Sequence, residues 1–144
     1  MEIIPYASVG LLKLNMKKEE IRKIIAEIPE EFNRVSEEPT SEHFVNSGIL
    51  VYYKGDEETN MAYEFTSPSE VSFQGISFLG MGERKAKKLF KKLDPDLIDF
   101  EETVISLEHG LSLFFMDRKV ETVLVFERNY YDELFEELKK LEEI

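Results

Sequence analysis

Gly75 to Leu93 reads GISFLGMGERKAKKLFKKL, and Gly10 to Ile28 reads GLLKLNMKKEEIRKIIAEI. At a constant offset of 65 residues, Gly10 meets Gly75, Leu14 meets Leu79 and Met16 meets Met81. Behind them Ile21, Ile24, Ile25 and Ile28 meet Ala86, Leu89, Phe90 and Leu93. Each set is spaced i, i+3, i+4, i+7, which puts four apolar side chains on one stripe of a helix. Pro29 and the pair Asp94-Pro95 stop the two helices, and Asn15 is placed to cap the first. The match predicts two copies of one unit.

Working outward, GILVYYK (Gly48 to Lys54) is β-rich, and a charged turn separates it from MAYEFT, so a hairpin is expected over Ile49 to Phe65. GLSLFFMD (Gly110 to Asp117) matches it at an offset of 62, and VETVLVF, ending at Phe126, takes the part of the strand ending at Phe65. Between helix and hairpin, residues 30–47 are polar and acidic, with Phe32, Val35 and Phe44 as large apolar anchors, and read as a loop with one short strand. Ile3 to Leu14 reads as an extended lead-in. Val71, Phe73, Ile76 and Phe78 read as a strand into the second copy, bulged at Gly75. After the second hairpin Asn129 would cap a last helix with an apolar stripe of Tyr131, Leu134, Phe135, Leu138 and Leu141. That helix has no counterpart in the first copy. It either covers an open core face or lies across another protein.

The expected fold is α+β: two tandem helix-plus-antiparallel-hairpin repeats, about 8–66 and 70–127, forming a continuous or paired sheet with helices on one face, plus a C-terminal helix over about 129–143. One domain over 1–144 would hold it, since this length buries a single core.

Hydrophobic residues make up 42% of the chain, with 11 Phe and 6 Tyr, which excludes a wholly disordered chain. The formal charge of -12 repels phosphate backbones and anionic membranes and favours a basic partner. Without cysteine there is no disulfide, thiolate nucleophile or Cys-ligated zinc. The N-terminal MEIIPYASVGLLKLNM lacks the basic start and unbroken apolar core of a signal peptide, and the longest apolar run is too short to span a bilayer. A cytoplasmic location is expected.

The pattern of a strand, Asn15-Met16 or Gly80-Met81, a short helix carrying Ile21, Ile24 and Ile25 or Ala86, Leu89 and Phe90, and then a hairpin resembles the repeat of the SmpA/OmlA lipoproteins and the β-lactamase-inhibitor protein. Lys17 and Gly82 stand where that family usually has Ser or Thr after Met, and the lipoprotein branch's lipidated cysteine is absent, so its outer-membrane role does not carry over. The resemblance implies a sheet backed by helices that binds another protein, as in inhibitors and in immunity proteins against bacterial toxins. The chain is therefore expected to be a non-catalytic binding module, a cytoplasmic immunity protein that neutralises a basic toxin domain, as monomer or homodimer and without a cofactor. The alternatives are a subunit of a constitutive complex and, from a different class, a metal- or small-molecule-binding enzyme.

Expected partner-binding residues are the acidic Asp56, Glu57, Glu58, Glu37 and Glu38, with Glu101 and Glu102 as a further cluster, and the aromatic pair Tyr52 and Phe114. Tyr52 and Phe114 hold matched hairpin positions, as do Tyr53 and Phe115, and strand alternation sends the two pairs to opposite faces. One pair is core; the other is either an aromatic patch on the free face or buried beneath the last helix. Arg84, Lys85, Lys87, Lys88, Lys91 and Lys92 make a basic face on the second helix, with no glycine-rich phosphate loop beside it. The pairs Glu42-His43 and Glu108-His109 precede the hairpins and read as turn residues rather than ligands, since neighbours on a strand point apart. No serine lies in a G-x-S-x-G or S-x-x-K frame.

Overall fold

The computed structural model describes residues 1–34, 39–132, 136 and 140. Eleven strands and two helices follow in the order β1 (Ile3–Ile4), β2 (Ser8–Val9), β3 (Leu12–Lys13), α1 (Lys18–Ile25), β4 (Glu30–Phe32), β5 (Ser41–Phe44), β6 (Ile49–Lys54), β7 (Thr59–Phe65), α2 (Glu83–Leu93), β8 (Ile98–Phe100), β9 (Thr103–Ser106), β10 (Leu111–Met116) and β11 (Lys119–Phe126). A small sheet holds β1-β2-β3. An eight-stranded antiparallel sheet runs β4-β5-β6-β7-β11-β10-β9-β8.

The α+β expectation is overturned. Among the described residues the structure is mostly β, 41% strand against 17% helix, and its units are not a helix plus a hairpin. Each expected hairpin is the inner part of a four-stranded meander, because residues 30–47 and 94–107 supply two further strands apiece. The meanders meet where β7 pairs β11 over Ala62–Phe65 and Val123–Phe126. The lead-in forms the small sheet instead of one strand. Val71 to Phe78 forms no strand, only a parallel bridge from Ser72 to Glu2 and a tight turn that pairs Phe73 with Ile76 around Gln74 and Gly75. The expected C-terminal helix falls largely outside the described residues, among which two helices occur.

Helix boundaries also move. Asn15 takes a left-handed φ of 65°, and the residue at the start of α1 is Lys17, with no side-chain cap. The helix stops at Ile25, with Ala26 left-handed at φ 57°, whereas the apolar stripe predicts Ile28. Proline at 29 disfavours helical backbone at the preceding residue, so Ile28 lies outside, 93% exposed.

Both helices pack on one face of the large sheet. There Ile21 of α1 and Ala86 and Phe90 of α2 join Phe44, Val51, Tyr53, Tyr63, Phe65, Val104, Leu113, Phe115 and Val123 in the main core, with Val9, Leu12 and Phe78 sealing the side. Tyr53 and Phe115 are thus the core pair. Each meander turns from its second to its third strand on a left-handed glycine, Gly48 at φ 70° and Gly110 at φ 65°. Gly48 donates its N–H to the Phe44 carbonyl and accepts from the Thr66 N–H, both at 2.9 Å; Gly110 donates to Ser106 and accepts from Phe126 in the same way.

Candidate protein-binding surface

On the second face of the sheet the even-numbered positions of β6, Leu50 and Tyr52, line up with Ala62 and Glu64 of β7 and Leu124 and Phe126 of β11. This face is aromatic but covered. Tyr52 is 6% exposed, with Phe32 edge-on at 6.2 Å, the Arg34 guanidinium 4.3 Å over its ring, and its hydroxyl donating to Glu64 at 2.9 Å. Phe126 stacks on Tyr130 at 5.6 Å and meets Tyr131 and Tyr6 edge-on. Tyr52 therefore offers no open ring to a partner, and Phe114, three strands away on β10, is half-buried. Burial pushes the Tyr52 hydroxyl well above its usual range and Glu64 adds to the effect, so it stays protonated and is no general base.

Asp56, Glu57 and Glu58 occupy the β6–β7 turn. Asp56 and Glu57 are exposed, whereas Glu58 is tied to Lys18, whose ammonium also lies 4.9 Å over the Tyr53 ring. Glu37 and Glu38 lie outside the described residues. Glu101 and Glu102 sit in the β8–β9 turn at the opposite end of the sheet, where the Phe115 N–H donates to the Glu102 carbonyl. The described acidic residues are thus not one cluster. On α2, Lys87 reaches Glu83 and Asp99, at 4.0 and 3.6 Å, while Arg84, Lys85, Lys88, Lys91 and Lys92 remain exposed.

Two polar arrangements were not legible in the sequence. Glu42, fully buried beneath α1, accepts from Arg22 Nε at 2.6 Å through one oxygen and from the Tyr53 hydroxyl at 2.5 Å through the other. Burial and that hydrogen bond raise the Tyr53 hydroxyl far above its usual range. In the other half Ser106 Oγ donates to buried Asp94 at 2.8 Å, and His109 stands alongside. Serine, histidine and aspartate together invite a triad, but the bonds run the wrong way. The Ser106 hydroxyl donates its hydrogen bond to Asp94 directly, and the His109 ring bonds the Leu93 carbonyl at 3.0 Å while its backbone N–H donates to Ser106. The serine is 0% exposed. These bonds anchor the end of α2 to β9.

His43, opposite Leu50, faces the second side of the sheet, whereas His109 packs on Phe73 in the main core. Among the described residues no three His, Cys, Asp or Glu side chains converge as metal ligands, and no helix is long and apolar enough to cross a membrane.

Glu27, just past α1, accepts from the Ser47 hydroxyl at 2.7 Å and from the backbone N–H groups of Asn46 and Ser47 at 2.7 and 3.0 Å. The Ser47 hydroxyl and then those N–H groups hold its carboxyl below the usual range. A depressed folded-state value contributes stability above the unfolded value, and this is lost as pH falls through the folded one. Glu27→Gln should therefore lower Tm at neutral pH. Thermal scans should show the difference shrinking below the unfolded glutamate value of about 4.3.

No protein family, curated protein or solved structure matches the chain.

Proposed function

We propose that the protein is a non-catalytic binding module that occludes a basic partner domain, in the manner of an immunity protein neutralising a toxin inside the cell. Charge is the observation that carries this reading. Helix α2 holds six basic side chains and one acidic, which leaves 12 basic against 29 acidic side chains in the rest of the chain. An excess of that size steers a basic domain to the surface and raises its association rate. The arrangement of Ser106, His109 and Asp94, and the protonated buried phenols, supply no nucleophile or base in support of an enzyme.

The test is capture from a lysate of the source organism at low and high salt, with bound proteins identified by mass. A single basic protein that dissociates at high salt supports the proposal. Reversing the exposed turn charges, Asp56→Lys with Glu57→Lys, should then slow association several-fold and leave dissociation nearly unchanged. A salt-insensitive housekeeping subunit as sole partner would replace the reading with that of a constitutive complex.

A further inference from the structure

Where α1 ends and the small sheet leans against it, the surface opens into an apolar groove of about 600 Å³ between Met1, Leu11 and Leu12 on one side, Ile24 and Ile25 on another, and Ile49 and Pro68 at the back. Its exposed members are large: Leu11 is 75% exposed, Met1 46% and Ile24 37%. Three large apolar side chains exposed side by side on a chain one third charged are the kind of feature that contact sites present. The cause is local. Because α1 stops at Ile25, its last turn does not roof the groove as the longer α2 roofs its own half, where Leu89 and Leu93 are packed on the core.

The rim is acidic. Glu70 lines the groove, and the Glu27 carboxylate is fixed beside it through Ser47, another lining residue. Glu27 is held in its charged form by those bonds and gains from a cation nearby. The volume is that of a site for a few side chains. We infer that this groove receives an apolar side chain, leucine, isoleucine or methionine, of a segment of the basic partner, with a flanking lysine or arginine against Glu70 and Glu27. This rests on the reading that the chain binds a basic protein, and adds where the apolar anchor of that contact is seated. Charge brings the partner to the surface, and a desolvated apolar anchor holds it there.

The experiment titrates the full chain, labelled at its leucine and isoleucine methyl groups, with the peptide GKKLLKKG and two comparators, GKKAAKKG and GSSLLSSG, followed by nuclear magnetic resonance. GKKLLKKG is expected to shift the methyl signals of Leu11, Ile24, Ile25 and Ile49 saturably, with each comparator binding about tenfold weaker. Leu11→Asp with Ile24→Asp should weaken GKKLLKKG by about tenfold or more. Both side chains are exposed enough to be changed without opening the core, and Glu70→Gln gives a second variant that leaves the apolar lining intact. Equal binding of GSSLLSSG would overturn the cationic part and make the groove a site for a neutral apolar ligand. Self-association of the chain, abolished by Leu11→Asp, would overturn the proposal in favour of a second copy as occupant. Shifts confined to the turn around Asp56, or none at these methyls, would sink the groove as a site while leaving the proposed function to the capture experiment.

Discussion

Gly48→Ala is expected to destabilise the protein by about 2–5 kcal/mol, because it combines a left-handed backbone with an occupied Cβ position. At φ 70° an L-residue is strained, and a methyl group built there falls into the carbonyl oxygen of Thr66, with the Pro68 ring at 3.0 Å. Thr66 cannot retreat, since its N–H is bonded to the Gly48 carbonyl. Gly55→Ala is the matched control. Gly55 has nearly the same φ, 69°, but nothing within 4 Å of its Cβ position, so it should lose only the backbone part, about 1–2 kcal/mol. Urea unfolding of both variants measures the difference, and equal losses would show that the Thr66 contact carries no weight.

Arg22→Met should cost about 3 kcal/mol, the low end for breaking a buried ion pair, because the arginine head is partly open to water while Glu42 is fully buried. Without Arg22 the carboxylate keeps the Tyr53 hydroxyl as its partner under α1. The charge itself, rather than lost packing, should dominate. Replacing all three groups, Arg22→Met with Glu42→Leu and Tyr53→Phe, should therefore recover most of the loss, since an apolar trio of similar volume removes the buried charge and both of its partners. A triple variant no more stable than Arg22→Met alone would overturn this account.

Periodicity was legible where side chains alternate or wind by burial. The stripes at Ile21 and Phe90 lie on α1 and α2, and GILVYYK and GLSLFFMD fall on β6 and β10, the third strands of the two meanders. The fold class was misread because the outer strands do not look like strands. EEF, SEHF and IDF are short and charged, and Glu42 is buried in one of them by an arginine from the helix above, a compensation that no local pattern announces. Turn residues told more than composition did, since Gly48 and Gly110 sit at matched places. For the candidate site, alternation separated Tyr52 from Tyr53 correctly. It could not show that Arg34, Phe32 and Tyr130 close over Tyr52, because those neighbours arrive from distant parts of the chain. The groove at Leu11 was hidden for the same reason: only the early end of α1 leaves it open.

The seam between β7 and β11 sets an order of events during synthesis. Residue 65 leaves the ribosome well before residues 123–126, which pair with it and its neighbours, so the first meander must wait with Tyr63 and Phe65 on an open edge. An unpaired edge of that kind templates any strand offered to it, including β7 of another nascent chain. The short, glutamate-bearing strand β4 guards the outer edge of that half, but nothing comparable guards the inner one. The gap between making β7 and making β11 is therefore the interval in which this chain is most exposed to misassembly.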